Sequence, residues 1–485
     1  MSANPDKSGT PTRAQQRAVA ELLRVAPVAD ELSRLFQAAG HDLALVGGSV
    51  RDAMLGALGE DLDFTTDARP EEVLEIAKSW ADYHWEVGIA FGTIGLRKGD
   101  FKLEVTTYRS EKYHRESRNP DVAYGDSLID DLARRDFTVN AMAVPLPLHA
   151  GEPLVDPYGG LRDLAAGVLR TPGPPERSFD DDPLRMLRAA RFAAQLGFDV
   201  APDVVAAMTE MRERLAIMSV ERVRDELAKL LCGRQPRRGL VLLVDTGLAD
   251  VVLPELPGMR LEIDEHHRHK DVYEHTLTVL DQAIALEGDT RPDLVLRLAA
   301  VLHDIGKPKT RRMEPDGRVS FHHHEVVGAR LTRQRLTELR FPKDVVSDVA
   351  KLVELHLRFH GYAEGEWTDS AVRRYVRDAG PLLDRLHRLT RADCTTRNRR
   401  KAKRLADAYD DLEARIARLE QEEELARIRP DLDGNEVMTE LGVGPGPVVG
   451  KALQHLLELR MEHGPLGRDK AVEELHRWAD EQRGR

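Results

Sequence analysis

Cysteine is almost missing from this chain. Only Cys232 and Cys394 occur, far apart, which excludes a disulfide framework and a Cys-rich zinc module and fits a reducing cytoplasm. No run reaches the roughly eighteen apolar residues of a membrane span, and Met1 to Arg17 is polar, without the apolar stretch of a signal peptide. A positive excess is lacking too. With 71 Lys and Arg against 83 Asp and Glu, the net charge of −12 excludes a protein that coats nucleic acid non-specifically, and leaves room for RNA at local basic patches. No internal repeat of fixed period is visible. At 485 residues the chain exceeds one ordinary core, so on the order of two to four domains are expected.

Residues 1–17 read as an aperiodic tail, and Ala18 to Ala39 as a helix stopped by Gly40. Leu43 to Val46 reads as a short buried strand running into Gly47-Gly48, and Ser49 to Leu55 as a helix closed by Gly56. Further strands are expected at Asp61 to Thr65, Thr93 to Leu96 and Lys102 to Thr107. From Asp180 onward strand patterns vanish and helical periodicity takes over, with breaks near Gly173-Pro174-Pro175, near Pro257-Gly258 and near Arg397 to Arg404. The expected fold class is α+β, with a mixed-sheet head at 18–176, an all-α neck at 177–258, a helical module at 259–400 and a helical tail at 401–485.

Two glycines between a buried strand and a helix let the backbone approach a ligand closely, and the helix behind them offers free N–H groups to a phosphate. Arg51 and Asp52 fall on that first turn. Asp61 and Asp63, at i and i+2 on a strand, point to one face while Leu62 points into the core. Such oxygen ligands suit two Mg²⁺ ions that bridge a triphosphate and activate a 3′ hydroxyl. Glu104, in an alternating run, is the natural third carboxylate, as general base or metal partner. Gly47-Gly48-Ser49-Val50-Arg51-Asp52 followed by Asp61-Leu62-Asp63 resembles the signature of class II tRNA nucleotidyltransferases and bacterial poly(A) polymerases. The resemblance covers almost the whole chain after residue 18. It implies a head of the polymerase β type, Mg²⁺ at Asp61 and Asp63, and CTP, ATP and tRNA as substrates. Addition of C, C and A without a template is the leading expectation. Open-ended poly(A) addition or partial CC or A addition are the rivals on the same scaffold, and a metal phosphohydrolase with an RNA-binding head is the rival of another class.

The run from Leu132 to Met142 resembles the family's second motif, in which Arg135 offers a fork of donors to phosphate oxygens and Asp136 and Asn140 hydrogen-bond sugar hydroxyls. Asp156 to Leu164 reads as a structural turn. Phe179 to Phe192 reads as a helix with an acidic start, Pro183 in its first turn and Arg at every third position. Cytosine and adenine both present an amino donor beside a ring-nitrogen acceptor. Asp182 and Arg185, at i and i+3 on one helix face, complement that edge, and guanine and uracil present the reverse. The pair resembles the family's Glu-Asp-x-x-Arg motif, with Asp181 where that motif has Glu. Arg188 and Arg191 rotate away from the same base edge and reach phosphates or brace the pocket. Between Glu104 and the second motif, Glu111 to Arg118 looks like the flexible loop that permits the switch from C to A in CCA-adding relatives.

His275, His303-Asp304, His324, His356 and Asp393 follow in the order of the HD phosphohydrolase superfamily, a set that brings imidazoles and carboxylates from several helices onto one or two divalent transition metals. His322 and His323 are read as neighbours of a ligand, while His266, His267 and His269 are left unassigned. Arg397, Arg399, Arg400, Lys401, Lys403 and Arg404 crowd the start of a long helix, where cations oppose the helix dipole and suit tRNA phosphates. The glycine-rich stretch from Leu441 to Lys451 resembles the loop before the last helix of many relatives.

Overall fold

The computed structural model describes residues 13–483 except 87, 90–91, 113–120, 126, 148–153, 261–270, 289, 317–318, 360–361, 363–364, 366, 397 and 424–428. It divides into two compact units, Met1–Pro254 and Glu255–Arg485. Among the described residues no helix is long and apolar enough to cross a membrane.

The first unit is built on Leu43–Val46 (β1), Asp61–Thr66 (β2), Tyr83–Trp85 (β3), Thr93–Lys98 (β4) and Phe101–Thr107 (β5), then a hairpin of Arg109–Lys112 (β6) and Asp121–Tyr124 (β7), and Ala143–Pro145 (β8). One sheet runs β3-β4-β5-β2-β1-β8, and β6 pairs only with β7. Only β2 and β5 run parallel in the main sheet. Strand alternation sets its two faces. Leu62, Phe64, Ile94, Leu96, Leu103 and Val105 are fully buried on the face packed by the helices Gly48–Leu55 and Pro70–Ala77, with Arg13–Ala38 behind them. Asp61, Asp63, Lys102, Glu104 and Arg97 take the other face. The first helix begins at Arg13, ahead of the expected Ala18, and carries Pro27 inside it.

Register does the positioning. Asp63 lies opposite Glu104 and Asp61 opposite Lys102; Glu104 in turn lies opposite Gly95, and Gly95 opposite Trp85. Four strands thus contribute to one row of side chains. The segment expected as a loop before the second motif contains β6, β7 and the helix Leu128–Ala133, while most of Glu111 to Arg118 lies outside the described residues.

Beyond Gly173 the first unit is helical, from Pro175–Asp181 and Leu184–Leu196 through Val220–Leu231 and Pro236–Asp245. Strands do not vanish after Asp180, as the sequence pattern suggested. Asp199–Val200 pairs in parallel with Val168–Leu169, and Arg312–Met313 pairs with Val319–Ser320. Each is two residues long, too short to produce an alternation. Buried Arg191 donates to Glu226 at 2.6 Å and joins the helices Leu184–Leu196 and Val220–Leu231.

In the second unit Val272–Glu287, Leu294–Leu302, His324–Glu338, Lys343–Leu355 and Leu383–Asp393 pack as a bundle. The helix Arg399–Glu423 follows. Asn398 caps its start by accepting from the N–H groups of Arg400 and Lys401. The last three helices, Gly434–Leu441, Pro447–His463 and Arg468–Arg483, close on Leu432, Val437, Leu456 and Leu475.

Candidate active site and metal centre

β1 runs into Gly47, whose φ of 67° is left-handed. A Cβ there would sit 2.6 Å from an Arg135 Nη1, so glycine is required twice, by conformation and by the close approach of that guanidinium. The turn delivers Ser49, whose hydroxyl accepts from the Asp63 N–H at 2.8 Å, and so ties the glycine turn to the carboxylate strand. Glu104 accepts from Lys102 at 2.9 Å. Burial raises the Asp63 carboxyl above its ordinary value; the Glu104 and Asp61 carboxylates add to this, and Arg135 and Arg51 oppose it. Three carboxylates thus share one sheet face, and burial together with its acidic neighbours drives Asp63 toward its neutral form.

Arg51 does not point to solvent. It donates to Asn140 Oδ1 at 2.7 Å and to both oxygens of Asp52. The Asn140 amide donates to Asp136 Oδ1 at 2.9 Å, the Phe137 N–H to the same oxygen, and Arg188 Nε to Asp136 Oδ2 at 2.7 Å. Burial would push the Asp136 carboxyl up, but Arg188, the Asn140 amide, Arg185 and Arg191 hold it well below the usual range. Asp136 and Asn140 are therefore engaged with protein, and Arg188 and Arg191 brace: one pairs with Asp136, the other with Glu226 and Gln195. Arg135 faces Gly47 and pairs with Asp131 at 3.2 Å.

The expectation that Asp182 and Arg185 share one helix is corrected. One helix ends at Asp181 and the next begins at Leu184; Asp182 between them is extended, with φ −147° and ψ 100°. Pro183 enforces the break by disfavouring a helical residue before it. Asp182 Oδ1 accepts from the Leu184 N–H at 3.0 Å and Oδ2 from Arg222 at 3.1 Å. Arg185 donates to the Ser178 hydroxyl at 2.9 Å and to the Arg134 carbonyl, which places it one residue from Arg135. Arg222, Ser178 and Glu226 escaped the sequence reading. Each acts on a residue of another element, and the one local signal was Ser219, the cap of the helix that carries Arg222 and Glu226.

In the second unit the six expected ligands converge: His275, His324 and Asp393 from three helices, His303 and Asp304 from the turn after Leu294–Leu302, and His356 from the turn after Lys343–Leu355. His275 Nε2 lies 2.9 Å from Asp393 Oδ1 and 3.3 Å from His303 Nε2. His324 Nε2 lies 3.2 Å, and His356 Nε2 3.9 Å, from Asp304 Oδ1. The groups fall into two sets, His275, His303 and Asp393, and Asp304, His324 and His356. Asp304 Oδ2 also reaches His303 Nε2 at 3.2 Å, which links them. The Nδ1 atoms of His303, His324 and His356 lie against the carbonyls of Ala300, Phe321 and Val353, which turns each Nε2 toward the centre. Among the described residues, Asp304 Oδ1, His324 Nε2 and His356 Nε2 are buried with no hydrogen bond of good geometry. Burial and the neighbouring His303 push His356 down to about 3, so it stays neutral and able to coordinate. The arrangement fits divalent metal ions. Lys307, not singled out from sequence, donates to Asp304 Oδ2 at 2.6 Å. His322 and His323 are exposed, and His266, His267 and His269 lie outside the described residues.

Of the basic cluster, Arg399, Arg400, Lys401, Lys403 and Arg404 are exposed, and Arg397 lies outside the described residues.

Because the folded Asp136 carboxyl lies below its ordinary 3.8, its stabilising contribution is complete above that pH and is lost as the pH falls toward the folded value. Urea unfolding should find Asp136→Asn about 2 kcal/mol less stable than the parent near neutral pH, with the gap narrowing below about pH 4. A gap independent of pH would contradict the charge assignment.

Comparison with known proteins follows the same division. Residues 43–170 match the poly A polymerase head domain, 197–259 the probable RNA and SrmB-binding site of polymerase A, and 272–419 the HD domain. The A-adding tRNA nucleotidyltransferase of Deinococcus radiodurans is 37% identical over 449 residues, 91% of this chain and 96% of the relative. The CC-adding tRNA nucleotidyltransferase of Thermus thermophilus is 35% identical over 86% of this chain and 89% of its own. A CCA-adding enzyme of Bacillus subtilis matches at 41% over 46% of this chain and 54% of its own. The Bacillus stearothermophilus CCA-adding enzyme, solved in complex with CTP, shares the fold with a TM-score of 0.66 at 24% identity, covering 98% of this chain and 100% of that one. With a polymerase head, a linked helical neck and an HD domain in this order, the chain belongs to the nucleotidyltransferase family of tRNA nucleotidyltransferases and poly(A) polymerases.

Proposed function

We propose that this chain adds C, C and A to the 3′ end of tRNA from CTP and ATP without a nucleic-acid template, in the cytoplasm. The observation that carries the reading is the chain of contacts from metal site to base reader. Asp63 lies beside Gly47, Gly47 beside Arg135, and the Arg134 carbonyl is held by Arg185, three residues after Asp182 in the chain. A nucleotide laid along that path has its triphosphate at the carboxylates and its base at the neck. Mg²⁺ bound by Asp61 and Asp63 would neutralise the triphosphate and acidify the 3′ hydroxyl. Glu104 is placed to take the hydroxyl proton or to join the metal ligands, Arg135 to grip phosphate, and the N–H groups behind Gly48 to receive it. Asp182 keeps acceptor capacity beyond its two bonds and takes the base amino group, while Arg185 donates to the ring nitrogen. Arg222 positions Asp182 for this. The exposed cations from Arg399 to Arg404 take tRNA phosphates.

A second reading, addition of A alone or of CC alone, draws support from the two full-length relatives, one A-adding and one CC-adding. Purified protein, Mg²⁺, single labelled nucleotides and tRNAs ending before CCA, after C and after CC separate the readings. Two CTP additions followed by one ATP addition are expected. AMP added only to the CC-ended tRNA, or CMP only to the shorter ones, transfers the assignment to a partial enzyme, and open-ended AMP addition to a poly(A) polymerase. Asp61→Ala should abolish incorporation.

In the HD module we infer a centre for two divalent transition metals that share Asp304, suited to polarising a phosphate ester. Asp304→Ala should lose most of the bound metal by mass spectrometry while CTP and ATP incorporation stays within about twofold, because the head carboxylates lie on the other compact unit. Unchanged metal content would remove Asp304 from the centre.

A further inference from the structure

The carboxylate face of the head extends beyond the carboxylates. In the row that contains Asp63 and Glu104, the next positions are Gly95 on β4 and Trp85 on the edge strand β3. In the adjacent row, Asp61 and Lys102 are followed by Arg97 and Tyr83. The indole lies flat over Gly95: a Cβ at that glycine would fall 1.8 Å from a ring carbon of Trp85. Lys102 Nζ stands 5.6 Å over the indole, and the Tyr83 ring stacks beside it with centroids 6.4 Å apart. Tyr83 is 64% exposed, an unusual state for a large ring. Aromatic faces alternating with cations on an open sheet are the surface that a single strand of nucleic acid recognises, with bases on the rings and phosphates on the cations.

The sheet order says which strand. Gly47 follows β1, and Arg135 and Asn140 precede β8, so the groups assigned to the incoming nucleotide lie on the β1 and β8 side of the carboxylates. The aromatic surface lies on the opposite side, with the indole about two strand spacings, roughly 10 Å, from Asp63. In-line transfer brings the attacking hydroxyl from the side away from the leaving pyrophosphate.

We propose that Trp85 and Tyr83, with Lys102 and Arg97, form the binding site for the single-stranded 3′ end of the RNA being extended, the indole stacking on a base just behind the reacting terminus. This rests on the reading that the chain extends an RNA end. Trp85 is then a substrate-binding residue specific to the acceptor strand, and the nucleotide pocket does not depend on it.

The test uses the full chain and a single-stranded RNA ending in CC with 2-aminopurine just before that end, titrated without nucleotide, together with steady-state tRNA extension. Trp85→Ala should abolish most of the fluorescence quenching and raise the KM for RNA roughly tenfold, while the KM for the nucleotide moves less than about twofold. Trp85→Phe should recover most of the affinity. Tyr83→Ala, at a largely exposed position whose ring stacks beside His84 and Trp85, should raise the RNA KM roughly threefold. Unchanged RNA binding in both alanine variants, or an equal rise in nucleotide KM, overturns the proposal. If the parent extends tRNA and Trp85→Ala is silent, the platform fails and the functional reading stands. If the parent extends nothing yet its quenching depends on Trp85, the platform stands and the functional reading fails.

Discussion

A buried carboxylate has to be compensated, and the compensation of Asp136 fixes how the head meets the neck within the first unit. Its two oxygens are divided. One takes the Phe137 N–H and the Asn140 amide, and the other takes Arg188 from the neck helix. Asn140 in turn accepts from Arg51, on the helix that starts at the Gly47-Gly48 turn. A single charge therefore sets the distance between the glycine turn, the second motif and the helix that begins at Leu184. If it moved, Arg185 would leave the Arg134 carbonyl and Arg135 would leave Gly47.

This network decides the part the arginines play. A stripe of Arg at every third position suggests phosphate contacts or bracing of the pocket, and two of its members brace, Arg188 on Asp136 and Arg191 on Glu226. Arg191 also lies 3.9 Å from the centre of the Phe192 ring, which leaves it little freedom to reach a ligand. The remaining member, Arg185, and Arg135 outside the stripe border the proposed path from carboxylates to base. Such buried pairs cost desolvation, so a whole pair adds little over an apolar replacement, but loss of one partner strands the other charge, and that leaves few alternative arrangements of the pocket.

Much of the head was legible because its signals are local. A strand that ends in two glycines and a period-two pair of acids need no knowledge of distant residues, and Glu104 stood out by the same alternation. That Glu104 lies across from Asp63 is a matter of register, which no single strand carries. The row that ends at Trp85 is less legible still, because β3 spans only three residues and gives no pattern. At Asp182 the signal is local too. A residue before proline avoids the helical region, so Pro183 marks a break there and an i, i+3 geometry does not hold. Arg222 was out of reach: its partner is 40 residues away on another element. The HD residues could be ordered from sequence, but their division into two sets joined by Asp304 depends on how five helices pack.

In the proposed complex one nucleotide spans two sites, metals on Asp61 and Asp63 and base on Asp182 and Arg185. A crystal structure with Mg²⁺ and a non-hydrolysable CTP analogue tests it most directly. The account predicts metal density between the two head carboxylates and the triphosphate, and the cytosine edge within hydrogen-bond distance of Asp182 and Arg185. Metal density away from Asp61 and Asp63, or a base bound elsewhere with Asp182 still turned only to Arg222 and Leu184, would contradict it.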